Sequence, residues 1–590
     1  MRKWMKKWQG LIIWVVAGFF VAGIAWWSIA AYMRSSAPKV QYSLEDAVAY
    51  LTKDGTPMND PTYWVMGWEL ETKYSDLLRN LPTYSLDPVF EDPKLKALVL
   101  ERILENKVQM YYASEENLLP TKKEIDREVN NILESIKKDK AKQSLIIRRY
   151  GTLTNYINNY LKPSVKEELT LKKVREKVMS VTDDEVKKYY EGHKKDIMLK
   201  YDKADLVSVS FDKEEDAKAF VNKAAEIGFE KAATSMGLET EELNSFGRGI
   251  LGDEVDDIVF SASPNSVVGP FNIFDKWYVF KVKDVRKVDT YENFVISDAF
   301  QDVKSQISNE KYNKWIENYK KEKHISYVIK DEIYRYWLEV MKKERDEEDI
   351  WKELKNHIFE KSNIREDAQD ELKAIFVVVS EDLKFQKENE LRDLKSYKKD
   401  LEEGKEVSEN LKKKYGELSK DELEQKISKV QAQLDEIEDL YKKVVEDLYE
   451  GFPTSMEVLR RMVQIKPEDR YVRFEYYSQL YSRLKPLIQY GQVSSILNDI
   501  LQTQIGLLTV AMATDVSTDV RAEAYYDLYD MSISMGDATS AKYYLDSLKE
   551  IAPDYMDFEG AYEQIKAMLP STPSENLPST PTENATPQGE

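Results

Sequence analysis

Residues 242–282 constrain the fold of this chain more than any other stretch, because glycines and prolines divide them at short intervals. They read ELNSFGRGILGDEVDDIVFSASPNSVVGPFNIFDKWYVFKV. Gly247, Gly249 and Gly269 can supply the positive φ angles that tight turns require, and the prolines favour turns as well. Short elements separated by such turns are typical of a small α+β domain.

The order of these residues resembles the C-terminal half of a parvulin-type prolyl isomerase domain. That family has a leucine, an aromatic-Gly-Arg-Gly turn, a short helix ending in Phe, a Gly-Pro turn and a last strand. The matching residues here are Leu243, Phe246, Gly247, Arg248, Gly249, Phe260, Pro264, Val268, Gly269 and Pro270. The resemblance implies an α+β parvulin-like domain at residues 196–290.

The polar site of that family is not retained. Tyr278 stands at one family histidine position, and Ser208 stands at the other. We assign no catalytic residue, since prolyl isomerisation requires a positioned polar group beside an apolar slot. The resemblance implies a peptide-binding slot, with Leu251 and Val255 where the family usually has Met and Phe. The candidate substrate-binding residues are Leu243, Leu251, Val255, Phe260 and Tyr278.

The segments on both sides of this unit resemble the chaperone domain of the PpiD, SurA and PrsA folding factors. Residues 63–80 resemble the strand, turn and helix that open that domain, and residues 181–190 resemble the lead-in to its isomerase domain. Both Thr121 with Glu124 and Thr182 with Glu185 have the spacing of a capping box, which predicts two helix starts.

The family resemblance continues after the parvulin-like unit. Residues 294–329 have apolar positions at helical spacing and end in a strand-like Ile325–Ile329. In the family, this strand pairs with the strand near Tyr63. The resemblance therefore implies one helical chaperone domain, built from residues 60–195 and 291–330, with residues 196–290 inserted into it.

The N-terminus indicates the compartment. No charged residue occurs from Trp8 to Met33, and about 20 apolar residues suffice to span a bilayer. Four lysines and arginines precede this run, which by the positive-inside rule keeps the N-terminus cytoplasmic. We expect an uncleaved single-pass anchor in residues 1–33 and a linker at 34–59, with a cleaved signal peptide as the alternative. The protein is then expected in the bacterial inner membrane, with its bulk in the periplasm.

Composition excludes several function classes. The net charge of −20 argues against a nucleic-acid partner, and the absence of cysteine excludes disulfides and thiolate sites. The only histidines, His193, His324 and His357, lack the spacing of metal ligands. No phosphate-binding glycine loop occurs either. We expect no metal and no cofactor.

Residues 331–450 are highly charged and have leucines at helical spacing. This pattern predicts long helices, in the form of a coiled-coil hairpin broken near Gly404. The apolar run Ile375–Val379 is the one exception, because it could also be a lone buried strand. An alternative is therefore a second, eroded parvulin-like unit in this region.

Residues 451–569 resemble tetratricopeptide repeats. The residues at repeat positions are Gly536, Ala541 and Pro553, with a looser copy at Gly451, Leu459 and Pro467. Two copies are too few for a solenoid, so residues 471–510 must add helices to the same stack. Such repeats bind partners, here expected to be the protein-translocation machinery or another membrane protein; a plain helical bundle is the alternative. Residues 570–590 are rich in Pro, Ser and Thr and are expected to be a disordered tail.

Together these patterns predict a mainly α, multidomain protein with one N-terminal transmembrane helix. The resemblance implies a membrane-anchored extracytoplasmic chaperone that binds unfolded or newly translocated polypeptides, with a parvulin-like domain inactive as an isomerase. Two alternatives stay open. The first is an active peptidylprolyl isomerase with a non-standard site, and the second is a structural envelope scaffold.

Overall fold

A computed structural model describes residues 43–79, 86–273, 275–360, 369–491 and 493–568. These residues are mainly helical, and they divide into two compact units. The first unit includes Tyr50–Trp64 and Leu104–Val328, and the second includes Val65–Ile103 and the chain from Ile329 onward. The expected anchor at 8–33 and the tail at 570–590 lie outside the described residues. No described helix combines the length and apolarity needed to cross a membrane.

The elements are numbered in chain order. Up to residue 211 they are β1 (Ala47–Lys53), β2 (Thr56–Pro57), β3 (Trp64–Met66), α1 (Gly67–Leu78), α2 (Glu91–Glu115), α3 (Lys122–Lys138), α4 (Lys140–Tyr150), α5 (Leu153–Tyr156), α6 (Lys162–Val178), α7 (Asp183–Tyr201) and β4 (Lys203–Phe211). Up to residue 329 they are α8 (Glu214–Ile227), α9 (Phe229–Ser235), β5 (Glu241–Gly247), α10 (Asp253–Ser261), β6 (Val267–Ile273), β7 (Lys276–Arg286), α11 (Tyr291–Val295), α12 (Asp298–Glu322) and β8 (Ile325–Ile329).

The remaining elements are all helices. They are α13 (Glu332–Lys342), α14 (Glu347–Phe359), α15 (Gln369–Glu402), α16 (Glu409–Tyr415), α17 (Lys420–Gly451), α18 (Met456–Ile465), α19 (Arg470–Gln489), α20 (Leu497–Ala511), α21 (Thr518–Met535), α22 (Ala538–Ile551) and α23 (Phe558–Met568).

Strand β8 confirms the predicted strand at Ile325–Ile329, but its partner differs from the family pairing. It pairs with β1, which lies within the segment expected to be a linker. The hydroxyls of Thr52 and Ser326 lie 2.7 Å apart, and the Asp54 N–H donates to the His324 carbonyl at 3.0 Å. Every second residue of β1 up to Leu51 is buried, a periodicity that the sequence interpretation did not use.

Helices α3 to α6 form a lobe with its own apolar core, which we call the helical lobe and define as residues 121–178. Its buried residues are Val129, Leu133, Ile136, Ile146, Leu161 and Val165. The predicted capping box is present, since Thr121 accepts from the Glu124 N–H at 3.3 Å and Glu124 accepts from the Thr121 N–H at 2.6 Å. The second predicted box, Thr182 with Glu185, starts α7 in the same way.

The parvulin-like unit is built on a four-stranded antiparallel sheet in the order β5-β4-β7-β6. Alternate residues of each strand point to opposite faces, so the sheet has two separate apolar clusters. On one face, Val207, Val209 and Phe211 pack against α8 and α9. On the other, Leu206, Phe280 and α10 residues form a second cluster, which contains the candidate slot.

In the second unit, a core joins Val89, Phe90 and Ala97 to helices α13 to α15 and α17 to α19. Phe90 is 4% exposed, and the Arg461 guanidinium lies 4.5 Å from its ring centre. Arg461 is itself buried and pairs with Glu381 at 2.9 Å and Glu457 at 2.7 Å. Burial alone would raise the pKa of Glu457, but Arg461 lowers it below the ordinary value.

The run Ile375–Val379 is helical, so the alternative of a lone buried strand is wrong. It lies in α15, where most of its side chains are fully buried by neighbouring helices, and this burial on several sides explains the continuous apolar run. Between 331 and 450 the described residues contain helices only, which argues against a second parvulin-like unit there. The predicted long helices are present, α15 and α17 pack together, and Gly404 takes a positive φ just after α15 ends, whereas coiled-coil packing stays a prediction.

The last helices have the local features that the repeat positions predict. Gly536 ends α21 in a left-handed conformation, Ala541 is fully buried in α22, and Pro553 follows the end of that helix. Helices α19 and α20 lie between the two copies. Gly506 allows these helices to pack closely, since a Cβ added there would lie 2.2 Å from the Tyr477 ring.

Candidate functional site

The candidate slot lies on the face of the parvulin-like sheet that carries Leu206 and Phe280. Strand register places Ser208 opposite Phe280 and Tyr278 opposite Ser210, and residues directly opposite each other share a face. Strands β4 and β7 therefore bring to one face the two positions at which the sequence analysis expects the family's histidines. Ser208 is buried at 3% exposure, whereas Tyr278 is half-buried.

Four of the five candidate substrate-binding residues form a partly exposed apolar surface. Leu243, Leu251, Val255 and Tyr278 are half-buried and pack against the same buried cluster. The Tyr278 and Phe280 rings stack with centres 6.0 Å apart. This arrangement can bury an apolar side chain of a ligand.

Phe260 is placed differently from the other four. It is 1% exposed, and the Arg248 guanidinium covers its ring at 4.4 Å. Phe260 therefore does not contact a ligand directly, but it packs in the buried cluster beneath the slot. Sequence reasoning missed this because the resemblance identifies a position in the family pattern and not its burial.

An ion-pair network fixes the loop that borders the slot. Arg248 donates to Asp202 at 2.9 Å and to Asp257 at 3.0 Å. The Asp202 carboxylate is fully buried and also accepts from the Val288 N–H at 2.8 Å. The sequence interpretation identified Arg248 as part of the motif but missed both carboxylates, which lie 46 and 9 positions away along the chain.

Asp256 stabilises the same loop through a hydrogen bond to its backbone. Its side chain is 1% exposed and accepts from the Gly249 N–H at 2.7 Å. Burial raises the pKa of this carboxyl, while the N–H groups of Gly249 and Leu251 oppose the rise. Since this carboxyl group accepts hydrogen bonds from loop amides, we assign it a structural role.

Beside the slot lies a cleft of about 380 Å³ between α7 and α10. It is lined by Lys194, Lys195, Met198, Leu199, Arg248, Asp253, Asp256 and Asp257. None of the five candidate substrate-binding residues lines it. Within the described residues, no group of three or more potential ligand side chains could hold a metal ion.

Gly269 fixes the approach of β6 to β7 behind the slot. Its φ is +117°, and an added Cβ would lie 2.8 Å from the Tyr278 carbonyl oxygen. We expect Gly269→Ala to lower the free energy of unfolding by at least ~2 kcal/mol, through strain at positive φ and the steric overlap. Thermal or urea unfolding measures this effect.

The matched control is Gly237→Ala in the same unit. Gly237 also has a positive φ of +66°, but an added Cβ meets nothing within 4 Å. Its cost should stay near ~1 kcal/mol, the cost of positive φ alone. Equal losses from both substitutions would show that the contact with Tyr278 is unimportant.

Comparisons with known proteins agree with this geometry. Residues 181–293 match the PPIC-type PPIASE domain family. The foldase protein PrsA of Caldanaerobacter subterraneus subsp. tengcongensis is 23% identical over 261 residues, which cover 42% of this chain and 78% of that protein.

Solved structures of related proteins also align with part of the chain. A chain from the SurA-like chaperones PEB4 and Cj1289 of Campylobacter jejuni is 14% identical, with 47% of this chain and 98% of that chain covered and a TM-score of 0.22. PrsA of Bacillus subtilis is 18% identical, with coverage of 44% and 90% and a TM-score of 0.14. The family match at residues 181–293 makes this unit a parvulin-type domain, in a chain similar to a PrsA foldase.

Proposed function

We propose that this protein is an extracytoplasmic chaperone that binds unfolded or newly translocated polypeptides without nucleotide. The observation that carries the proposal is the slot face of the parvulin-type domain. There the apolar surface is present, while buried Ser208 and half-buried Tyr278 occupy the positions of the family's histidines. The slot then adds weak binding of apolar peptide segments, while the helical domain described next carries most of the client binding.

The proposal gives the client-binding role to a composite domain of residues 60–195 and 291–330. Contacts of α12 support this composite, since Lys311 pairs with Glu185 of α7 at 2.9 Å and Ser308 donates to the carbonyl of Met179, just after α6, at 2.8 Å. The chain enters and leaves the parvulin-type domain at one point, where Asp202 accepts from the Val288 N–H. We propose further that residues 8–33 anchor the protein in the inner membrane and place the rest outside.

An aggregation assay tests the chaperone proposal. A chain of residues 43–568 should suppress light scattering from a chemically denatured client without ATP. Replacing residues 203–287 by a short Gly-Ser linker should leave most of this protection, because the ends joined already lie beside each other. A chain that unfolds cooperatively on heating yet protects no client would instead favour the envelope scaffold.

The repeat-like helices supply a second surface, which we propose binds a helix of a partner protein. On α20, Leu497, Leu501 and Ile505 follow one another at four-residue spacing and are 49%, 48% and 66% exposed. Only two charged residues occur from 486 to 518, although 33% of the chain is charged. An apolar stripe with this helical spacing fits the apolar face of another helix, whereas a charged partner would lose hydration without gaining an ion pair.

Crosslinking in the native membrane tests this surface. The double substitution Leu501→Ser with Ile505→Ser should lower the yield of the crosslinked partner by about tenfold or more, as expected for central anchors of an interface. Protection of clients should stay unchanged. The matched control is Phe385→Ser, since Phe385 is 65% exposed but lies on a different helix, α15. An unchanged partner yield in the double variant would rule the stripe out.

A further inference from the structure

The helical lobe differs in charge from the rest of the protein. Residues 121–178 contain 15 Lys and Arg against 8 Asp and Glu, a net charge of +7, whereas the whole chain carries −20. The remainder therefore carries −27. From 135 to 165 the difference is larger still, with seven basic residues and a single acid, Asp139.

Helix α4 is the most exposed part of this lobe. Ile146 is its only buried residue, and Leu145 and Ile147 on either side are 61% and 45% exposed. Lys138, Lys140, Lys142 and Arg148 are exposed as well. Within the described residues none of these four lies in an ion pair, so their charges act outward. The helix forms an exposed ridge of basic and apolar side chains.

Three tyrosines lie in mutual contact at the end of this ridge. The ring centres of Tyr150, Tyr156 and Tyr160 are 5.1 to 5.7 Å apart, and all three are partly exposed. Tyr160 lies in a π-helical turn at Ile157–Leu161. Such turns are rare in proteins as a whole, but many of those known occur at functional sites. Tyrosines beside lysines and aliphatic side chains are typical of surfaces that meet the interface of a bilayer.

We propose that the helical lobe docks on an anionic lipid surface through α4 and the three tyrosines. The charge distribution carries this assignment, because anionic headgroups attract the +7 lobe and repel the −27 remainder, which sets one orientation. The mixture of side chains favours a bilayer over an acidic polypeptide, since exposed aliphatic side chains and three tyrosines accompany the lysines. Leu145 and Ile147 can enter the headgroup region while the lysine heads remain at the phosphates.

Hydrogen exchange on the full chain tests this proposal at the level of single segments. The chain is mixed with vesicles of phosphatidylcholine alone or with about 30% phosphatidylglycerol, which supplies the negative surface potential. Amides of residues 140–161 should exchange at least ~5-fold more slowly with the anionic vesicles only. Adding about 1 M salt should remove this protection, since it shortens the Debye length to ~3 Å.

The test variant changes Lys138, Lys140, Lys142 and Arg148 to Gln and should lose the protection. The control variant changes the same number of exposed lysines outside the lobe, Lys231, Lys276, Lys314 and Lys413, to Gln and should keep it. Equal exchange of residues 140–161 on both vesicle types would overturn the proposal. So would a test variant that loses client protection while its exchange on anionic vesicles is unchanged, because the lobe would then bind acidic polypeptides. Loss of client protection in both variants would count against the proposed chaperone function only. The lipid proposal would still be decided by the exchange rates of residues 140–161.

Discussion

The full chain is expected to accelerate prolyl isomerisation at least ~100-fold less than parvulins that have both histidines, since a positioned acid or base contributes about that factor or more. Neither residue supplies an imidazole, the group that the resemblance implies at both positions. Ser208 is buried opposite Phe280 in the sheet, and Tyr278 stacks on the same phenylalanine. A proline-peptide assay under standard conditions measures the rate.

Weak binding should persist where catalysis does not. An apolar peptide should bind the slot, and Leu251→Ser should weaken that binding, because Leu251 is half-buried at the slot face. Leu238→Ser is the matched control, since Leu238 packs against the cluster on the opposite face. A rate comparable to active parvulins that is lost in Tyr278→Phe or Ser208→Ala would contradict this prediction and establish a non-standard catalytic site.

Phe90→Ala should lower the free energy of unfolding of the second unit by about 3 to 5 kcal/mol, the usual cost of truncating a buried aromatic residue. Phe90 is 4% exposed, and its loss would also uncover the buried guanidinium of Arg461. Urea unfolding of the full chain measures the change. Leu98→Ala is the control, because Leu98 is 40% exposed and its loss should cost within ~0.5 kcal/mol.

The same core should also be disrupted in a chain that ends at residue 330. The buried cluster that contains Val89, Phe90 and Ala97 has no other buried member before residue 333. A chain that ends at 330 should therefore aggregate or lose helicity in residues 91–103, and its failure to protect clients would not test the chaperone proposal. Normal stability of such a chain, together with a neutral Phe90→Ala, would show that this core is unimportant. This is why deletion of residues 203–287 is the sharper experiment.

Much of the first unit could be predicted from local sequence. Capping boxes at Thr121 and Thr182 depend on residues three positions apart, so the chemistry that starts each helix is visible in the chain itself. The turns were predictable in part, because Gly249 and Gly269 take the positive φ that the glycine spacing predicts, whereas Gly247 ends strand β5 without one. The strand at Ile325–Ile329 was also predictable, but its pairing with β1 was not, because partner choice depends on residues some 275 positions away.

The sequence by itself determined the parvulin-type frame, the absence of histidine from residues 196–290 and the long helices after residue 330. Tertiary structure alone decided the rest. Burial of Ile375–Val379 inside a helix bundle, and not in a sheet, required the surrounding helices, since a continuous apolar run fits either. Phe260 became a support and not a contact residue because Arg248 and two distant carboxylates close over it. Local patterns report spacing along one element, whereas burial and ion pairing depend on which distant elements come together.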